Sequence, residues 1–298
     1  MLISKIANRS TNIASLSSEH SERRFPFDPY PRGWYRIGNT KELLAGKTPR
    51  FLGQTWRVER HPSSEIVAIG QSGISYQARE EDGRVFVYFD RDVENGQPLK
   101  PAYDFVSPPE YRSDKWGQAG ELRWVVRADV QDIAENAVDV SHFTTVHRFH
   151  RLPKLTEVRF TGEQMRVRMT SYRRMFGVET EVDLCFDYET LGLAFARIAS
   201  GPVTMLVSYM PTPIDEETIE IVMAFRYERS KNPLRNAIIR LFLRWEGYVS
   251  FRDDIPIWEN KIYHKRPVLC AGDGPIMQVR RWASQFYPAQ APSPSPQA

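Results

Sequence analysis

Three of the six histidines in this 298-residue chain fall close together, at His142, His147 and His150. Neutral imidazole is the commonest protein ligand for transition metals. Two histidines and one carboxylate on one face of an iron(II) ion leave positions open for dioxygen and substrate, the arrangement of non-haem iron oxygenases. Spacing decides which histidines could share an ion. Residues five apart on an ideal helix point ~140° away from each other. His142 and His147 can therefore meet at one metal only if the helix ends or kinks between them. Thr144, Thr145 and Val146 are β-branched and disfavour helix, so a break falls naturally there. If the helix continued, His147 and His150, three apart, would share a face and form the rival pair. Spacing does not choose the acid: Asp139, Asp253, Asp254 and Glu259 all compete. The plainer alternative is a pair of histidines hydrogen-bonded at a sheet–helix boundary with no metal.

The elements that must position these residues follow from periodicity. From Phe25 to about Asp90 the chain reads as short strands: PYPRGWYRI, FLGQTWRVER, EIVAIG, ISYQARE and RVFVYFD, with one brief helix over Thr40–Leu44. A proline-rich loop over 100–118 precedes the strand GELRWVVRADV. DIAENAVDVSHFTTVHRFH has helical spacing, with Ile133, Ala137, Val140 and Phe143 on one side. Alternating runs from Glu157 to Tyr227 predict consecutive antiparallel strands. Phe176, Phe186, Phe195, Tyr209 and Phe225 lie on them as core or pocket residues. One long helix then starts near Pro233, which suits a first turn, and runs to about Ile262. The fold class is α+β, and a helix across a curved sheet leaves a cavity suited to apolar ligands. Arg235, Arg240 and Arg244 predict a solvated basic face on that helix, with a membrane-surface role as the alternative.

Composition removes other functions. The chain is 41% hydrophobic and 26% charged, with a formal net charge of +3, so nothing marks nucleic acid as a partner. No apolar run approaches the ~20 residues of a membrane span. Cys185 and Cys270 are too few and too far apart for a disulfide framework or a Cys-rich zinc site. They also cannot make a Rieske centre, which takes two Cys and two His. Two such cysteines fit reduced, buried, inert thiols and a cytoplasmic protein. Residues 1–24, Ser/Asn-rich without an apolar core segment, and 288–298, rich in Pro, Ser and Ala, are expected to be disordered.

The stretch AENAVDVSHFTTVH, from Ala134 to His147, resembles the signature of Rieske non-haem iron oxygenases. The block RDDIPIWENKIYHKRPVLCAGDGPIMQVRRWASQFY, from Arg252 to Tyr287, resembles the subgroup holding the 3-ketosteroid 9α-hydroxylase oxygenase and the cholesterol 7-desaturases. PRGWYRIGNTKELLAGKTPRFLG is similar to that subgroup's N-terminal strand, so the likeness spans about residues 26–287. The resemblance implies iron(II) held by His142, His147 and Asp254, and assigns Asp139 to passing electrons between subunits. Asn136 falls near the family's supporting asparagine. It implies a helix-grip catalytic domain over 99–287 behind a Rieske-like β domain over 25–98.

One departure is large. Relatives carry C-x-H and C-x-x-H pairs in the N-terminal domain, whereas here EIVAIGQSG runs directly into ISYQAREEDGRVFVYFD. The reading is a residual all-β scaffold lacking the cluster-binding loops, with no intrinsic [2Fe-2S] cluster. The expected function is an oxygenase component acting with O2 on an apolar, polycyclic-type substrate. Electrons would come from a reductase through a Rieske cluster on another polypeptide, in a head-to-tail, trimer-like hetero-oligomer. The rival is a non-catalytic binding or assembly subunit. The expected location is cytoplasmic, with a peripheral membrane association as the variant.

Overall fold

The computed structural model describes residues 24–288 apart from 63, 95, 96, 99, 102, 103, 176, 271 and 272. The disorder expected at both termini, and the strand position of Phe176, thus lie outside the described residues.

The N-terminal part is a small antiparallel layer. Its elements in chain order are β1 (Gly33–Asn39), α1 (Thr40–Leu44), the short pair β2 (Arg50–Phe51) and β3 (Gln54–Thr55), β4 (Arg57–Arg60), β5 (Ile66–Ile69), β6 (Ser75–Glu81) and β7 (Arg84–Phe89). Five of them form a sheet in the order β1-β7-β6-β5-β4. Between β5 and β6 the chain makes a tight turn, closed by Gly70 N–H to Ile74 O at 3.1 Å. Tyr35, Phe51 and Trp56 are almost fully buried on one face of the layer, and Trp34 is buried on the other with Phe86 and Phe105. A second short pair, β8 (Val93–Glu94) and β9 (Gln97–Pro98), leads away.

The larger part is built on β10 (Trp116–Val126), α2 (Val130–Asn136), α3 (Val140–Thr145), β11 (Arg151–Thr161), β12 (Gln164–Met175), β13 (Val178–Thr190), β14 (Leu193–Ser200), β15 (Val203–Pro213), β16 (Ile219–Glu228), α4 (Pro233–Asn260) and α5 (Ile276–Ala283). Seven strands form one antiparallel sheet, ordered β10-β16-β15-β14-β13-β12-β11. The chain meanders from β11 to β16, and β10 closes the far edge. The two parts are joined by buried contacts, among them Trp34 N–H to Thr190 Oγ1 at 3.2 Å and Thr212 Oγ1 to Arg36 O at 2.8 Å. Among the described residues no helix is long and apolar enough to cross a membrane.

The 28-residue α4 lies across the sheet, packed chiefly on β10. Asn232 caps it by accepting from the N–H groups of Leu234 and Arg235, and Pro233 occupies the first turn, where its missing N–H costs nothing. Its inner face is Ile239, Leu243, Gly247, Phe251, Asp254 and Trp258. The outer face differs from the solvated basic surface expected. Leu234, Ile238, Leu241, Trp245 and Tyr248 are exposed along it, and the arginines flank them. The helix is apolar on two sides, a pattern that a single amphipathic reading does not anticipate. Nor does the sequence pattern isolate α5, which packs against α2 and whose buried Trp282 meets Phe160 and Tyr188 of the sheet. Cys270 corrects a further expectation: it is exposed, in the loop after α4, while Cys185 is half-buried.

Gly247 sets how closely α4 approaches the sheet. A Cβ there would stand 2.4 Å from Phe225 Cζ and 2.8 Å from its Cε1. Gly247→Ala should therefore lower stability by ~1–3 kcal/mol, although alanine favours helix. Chemical denaturation gives the difference. A variant as stable as the parent would mean that Phe225 swings aside freely.

Candidate metal centre

His142 and His147 are brought together because the helical spacing does break. The segment read as one helix is two short ones, α2 and α3, separated by a turn at 137–139. Asp139 caps α3, its Oδ1 accepting the His142 N–H at 3.4 Å. The helix ends after Thr145, and the N–H groups of Val146 and His147 both turn back to His142 O, at 2.7 and 3.4 Å. Arg148 then adopts a left-handed φ of 58°. This unwinding turns the His147 ring toward His142, with ring centroids 5.0 Å apart. His150 is carried off to the sheet, where its N–H bonds Tyr172 O at 2.8 Å and its side chain is exposed.

The acid comes from the other side of the cavity. Asp254 projects from the buried face of α4, and its Oδ2 lies 3.4 Å from His147 Nε2. One donor atom from each of His142, His147 and Asp254 falls within 4.8 Å of the others. The competing acids are elsewhere: Asp253 pairs with Arg252 at 3.1 Å, and Glu259 is exposed. His147 Nδ1 and Asp254 Oδ1 are buried and find no hydrogen-bond partner among the described residues. Buried polar atoms without partners are costly, and a cation would satisfy them. Burial, followed by the neighbouring His147, pulls the His142 pKa below its usual value. That shift favours the neutral ring, the form in which a histidine binds a metal. Its Nδ1 faces the Asp139 carbonyl, which leaves Nε2 pointing into the group. The donor set fits an iron(II) ion.

An apolar cavity of about 170 Å³ adjoins this cluster, walled by Leu184, Val207 and Phe225 of the sheet and Leu243 of α4. His147, Phe143 and Tyr209 also line the smaller space around the triad, so the two are contiguous. The lining also includes one charged pair, Arg173 with Glu246.

Residues 87–287 match the family model described as the 3-ketosteroid 9alpha-hydroxylase C-terminal domain. The chain belongs to this family. Its relatives include a cholesterol 7-desaturase of Bombyx mori, 23% identical over 87% of this chain and 70% of that one. A second cholesterol 7-desaturase, of Hemicentrotus pulcherrimus, is 28% identical over 73% of this chain and 50% of that one. The oxygenase component of a 3-ketosteroid-9-alpha-monooxygenase from Rhodococcus rhodochrous is 22% identical over 72% and 58%. The chain thus spans 50–70% of the length of these relatives. The Bombyx alignment runs over 329 positions, more than the whole chain, so that relative carries residues with no counterpart here. Among solved structures, dicamba monooxygenase matches with a TM-score of 0.63 at 15% identity, over 85% of this chain and 96% of that one. At that identity the likeness speaks for the fold.

Within this ketosteroid-hydroxylase-type domain, Asn136 lines the space around the triad, whereas Asp139 faces outward from it. Asn136 Nδ2 is 3.3 Å from His142 Nε2. Asp139 is half-buried and accepts from Ser141 Oγ at 2.9 Å. Both line a surface groove with Lys261, Leu269 and Asp273. Ser141 and Asp273, which lie 3.5 Å apart here, carry no sequence signal, because one is a helix residue and the other belongs to a distant loop.

Behind the site, α2 and its N-cap bury three acids, Asp129, Asp132 and Glu135. Lys261 bridges Asp132 at 2.8 Å and Glu135 at 2.9 Å, and Arg280 reaches Glu135 at 2.8 Å. Asp129 has no cation among its described partners. Burial, reinforced by Asp132, raises its pKa from 3.8 to about 7. The folded state therefore keeps this proton longer than the unfolded chain does. Its contribution to stability is largest at acid pH and falls as pH rises from about 4 to about 7, by at most ~1.4 kcal/mol per pH unit. Asn at 129 can still cap α2 through its oxygen, as Asp129 does by accepting the Gln131 N–H at 2.8 Å. Asp129→Asn should be more stable than the parent at pH ~8 and lose that advantage toward pH ~4. Unfolding midpoints at both pH values test this; a constant difference would contradict it.

Proposed function

We propose that this chain is the oxygenase component of a multi-component Rieske-type non-haem iron system. The observation that carries the reading is the convergence of His142, His147 and Asp254, with unpartnered buried donor atoms, at the inner end of an apolar cavity. His142, His147 and Asp254 would hold iron(II) on one face, and the ion would supply the redox chemistry of dioxygen. The reaction is hydroxylation, desaturation or dealkylation of an apolar substrate. A polycyclic substrate is the class that the relatives' names favour. The chain's own residues do the rest. The cavity wall excludes water and holds the substrate by apolar contact beside His147. Asp139, through its carbonyl, fixes the His142 tautomer, and Asn136, whose Nδ2 faces His142 Nε2 here, would turn aside as that nitrogen takes the ion.

Residues 99–287 constitute the catalytic domain, a helix-grip arrangement in which α4 is held by the seven-stranded sheet. Residues 25–98 constitute a Rieske-like β scaffold reduced to its strands. The tight turn at 70–74 stands where the cluster loops of relatives would be expected, and the sequence has no cysteine there. Electrons would then arrive from a Rieske cluster on another polypeptide, itself served by a reductase. The groove beside Asp139 is a suitable docking surface, since Ile257, Ile262, Val268 and Leu269 are exposed on or beside it. A head-to-tail, trimer-like hetero-oligomer in the cytoplasm accommodates this.

Metal analysis of protein purified without oxygen tests the reading. About one iron and no acid-labile sulfide per chain is expected from one triad and no cluster ligands. Absence of iron would favour a non-catalytic binding or assembly subunit of a heteromeric oxygenase instead.

A further inference from the structure

The outer face of α4 is unexplained by anything above. Leu234, Ile238, Leu241, Trp245 and Tyr248 recur at steps of four and three, and are 48–73% exposed. At 100° per residue they fall within an arc of about 80°. The stripe lies opposite the inward face that carries Leu243, Gly247 and Asp254. Exposed apolar residues so aligned mark an interaction surface rather than scattered exceptions. Arg235 lies on one flank of the stripe, Arg240 and Arg244 lie on the other, and Lys231 precedes the helix; all four are exposed. Residues 233–245 contain no acid.

From this we infer that the first half of α4 is a membrane-surface docking element, which lies on bilayers containing anionic phospholipid. The chemistry is complementary at each level. An apolar stripe enters the acyl boundary, while the exposed arginines on both flanks meet the phosphates once Arg235 leaves Pro202 O and Arg244 swings out from over Gly120. Trp and Tyr favour that depth, where one end of the ring is wet and the other apolar. A second copy of this chain fits worse. Two such helices would bring like-charged arginines together without one acid between them over 233–245. The site is also well placed, because the same turns of α4 wall the cavity through Phe242, Leu243 and Gly247. An apolar molecule dissolved in the bilayer would meet the protein at the helix that encloses the cavity. The docking itself stands on the helix face alone and does not depend on iron.

Flotation of the full chain with vesicles tests the inference, with phosphatidylcholine–phosphatidylserine vesicles set against phosphatidylcholine alone. The parent should rise with the mixed vesicles, more weakly with the neutral ones, and less as salt is raised. Leu241→Gln combined with Trp245→Gln should lower the partition by about tenfold or more, since both side chains would leave the acyl boundary. Each replacement among Arg235→Gln, Arg240→Gln and Arg244→Gln should lower it by about fivefold on mixed vesicles. These positions are exposed, and circular dichroism checks that the variants fold. Failure of the parent to float with mixed vesicles overturns the inference, and so does parent-like binding by the Leu241/Trp245 variant. A parent oligomer in sedimentation that this variant splits into monomers would also overturn it and assign the stripe to a protein interface.

Discussion

Alanine at His142, His147 or Asp254 is expected to strip tightly bound iron from the protein, while His150→Ala and Asp253→Ala retain it. Changes to residues that only orient a ligand already cost 10–100-fold in metal affinity, so removing one of three ligands should cost more than about 100-fold. The open positions of such a site take exchangeable groups and cannot replace a protein arm. Geometry separates the targets from the controls. The three donors lie within 4.8 Å of one another, whereas His150 is exposed near Glu179 and Asp253 pairs with Arg252. Folding is separable from binding. His147→Ala leaves the buried Asp254 without its neighbour, so apoprotein unfolding is measured beside iron content; Asp254→Asn, of the same shape, serves as a second acid variant. Iron per folded chain is the deciding quantity. Loss of iron in His150→Ala alone would mean that the ligand register is wrong, and retention in all three alanine variants would refute the site.

How far the sequence carried this site is instructive residue by residue. The break between His142 and His147 was legible, because three consecutive β-branched residues and a five-residue spacing cannot serve a shared ligand on an unbroken helix. The structure realises it with a left-handed Arg148, which no propensity rule names in advance. The acid was not legible from spacing, since Asp253 and Asp254 are adjacent. Only the rotation of α4 against the sheet distinguishes them, and Gly247 and Phe225 fix that approach. The family resemblance selected Asp254, the one that the helix turns inward. The first break in the helical stretch from 132 to 150, the turn at 137–139, has no sequence signal, since Ala137 and Val138 carry no breaker. Likewise α5 has no clear sequence signal: it is short and set apart by a loop, and its place against α2 depends on partners such as Glu135 and Arg280 distant in sequence. Long strands and the long helix were legible because their periods extend over many residues. Tertiary partners of isolated charges were not.

The second large effect concerns Asp139, which is half-buried between His142 and a groove open to the surface. If a cluster-bearing partner docks at that groove, Asp139→Asn should lower turnover of the complete system by roughly 100-fold or more, at the upper end expected for a supporting partner of a metal ligand. Iron content and substrate binding should stay near those of the parent. The asparagine variant is the informative one. Its oxygen can still accept from the His142 N–H and Ser141 Oγ, so the cap on α3 survives. The His142 tautomer survives as well, because it rests on the backbone carbonyl of residue 139 and not on its side chain. What is lost is the negative charge. A purely capping role would predict the reverse ordering: Asp139→Ala would cost ~1 kcal/mol of stability and Asp139→Asn almost nothing, with turnover spared in both. Single-turnover oxidation, with iron loaded and an added Rieske partner reduced beforehand, separates the two roles, because it bypasses the reductase. The same experiment tests docking directly. Exposed Ile262 and Val268 flank the groove, so Ile262→Lys should raise the partner concentration needed for half-maximal turnover without changing iron content. An unchanged rate in Asp139→Asn, or full turnover with a chemical reductant and no partner, would refute electron delivery through this face.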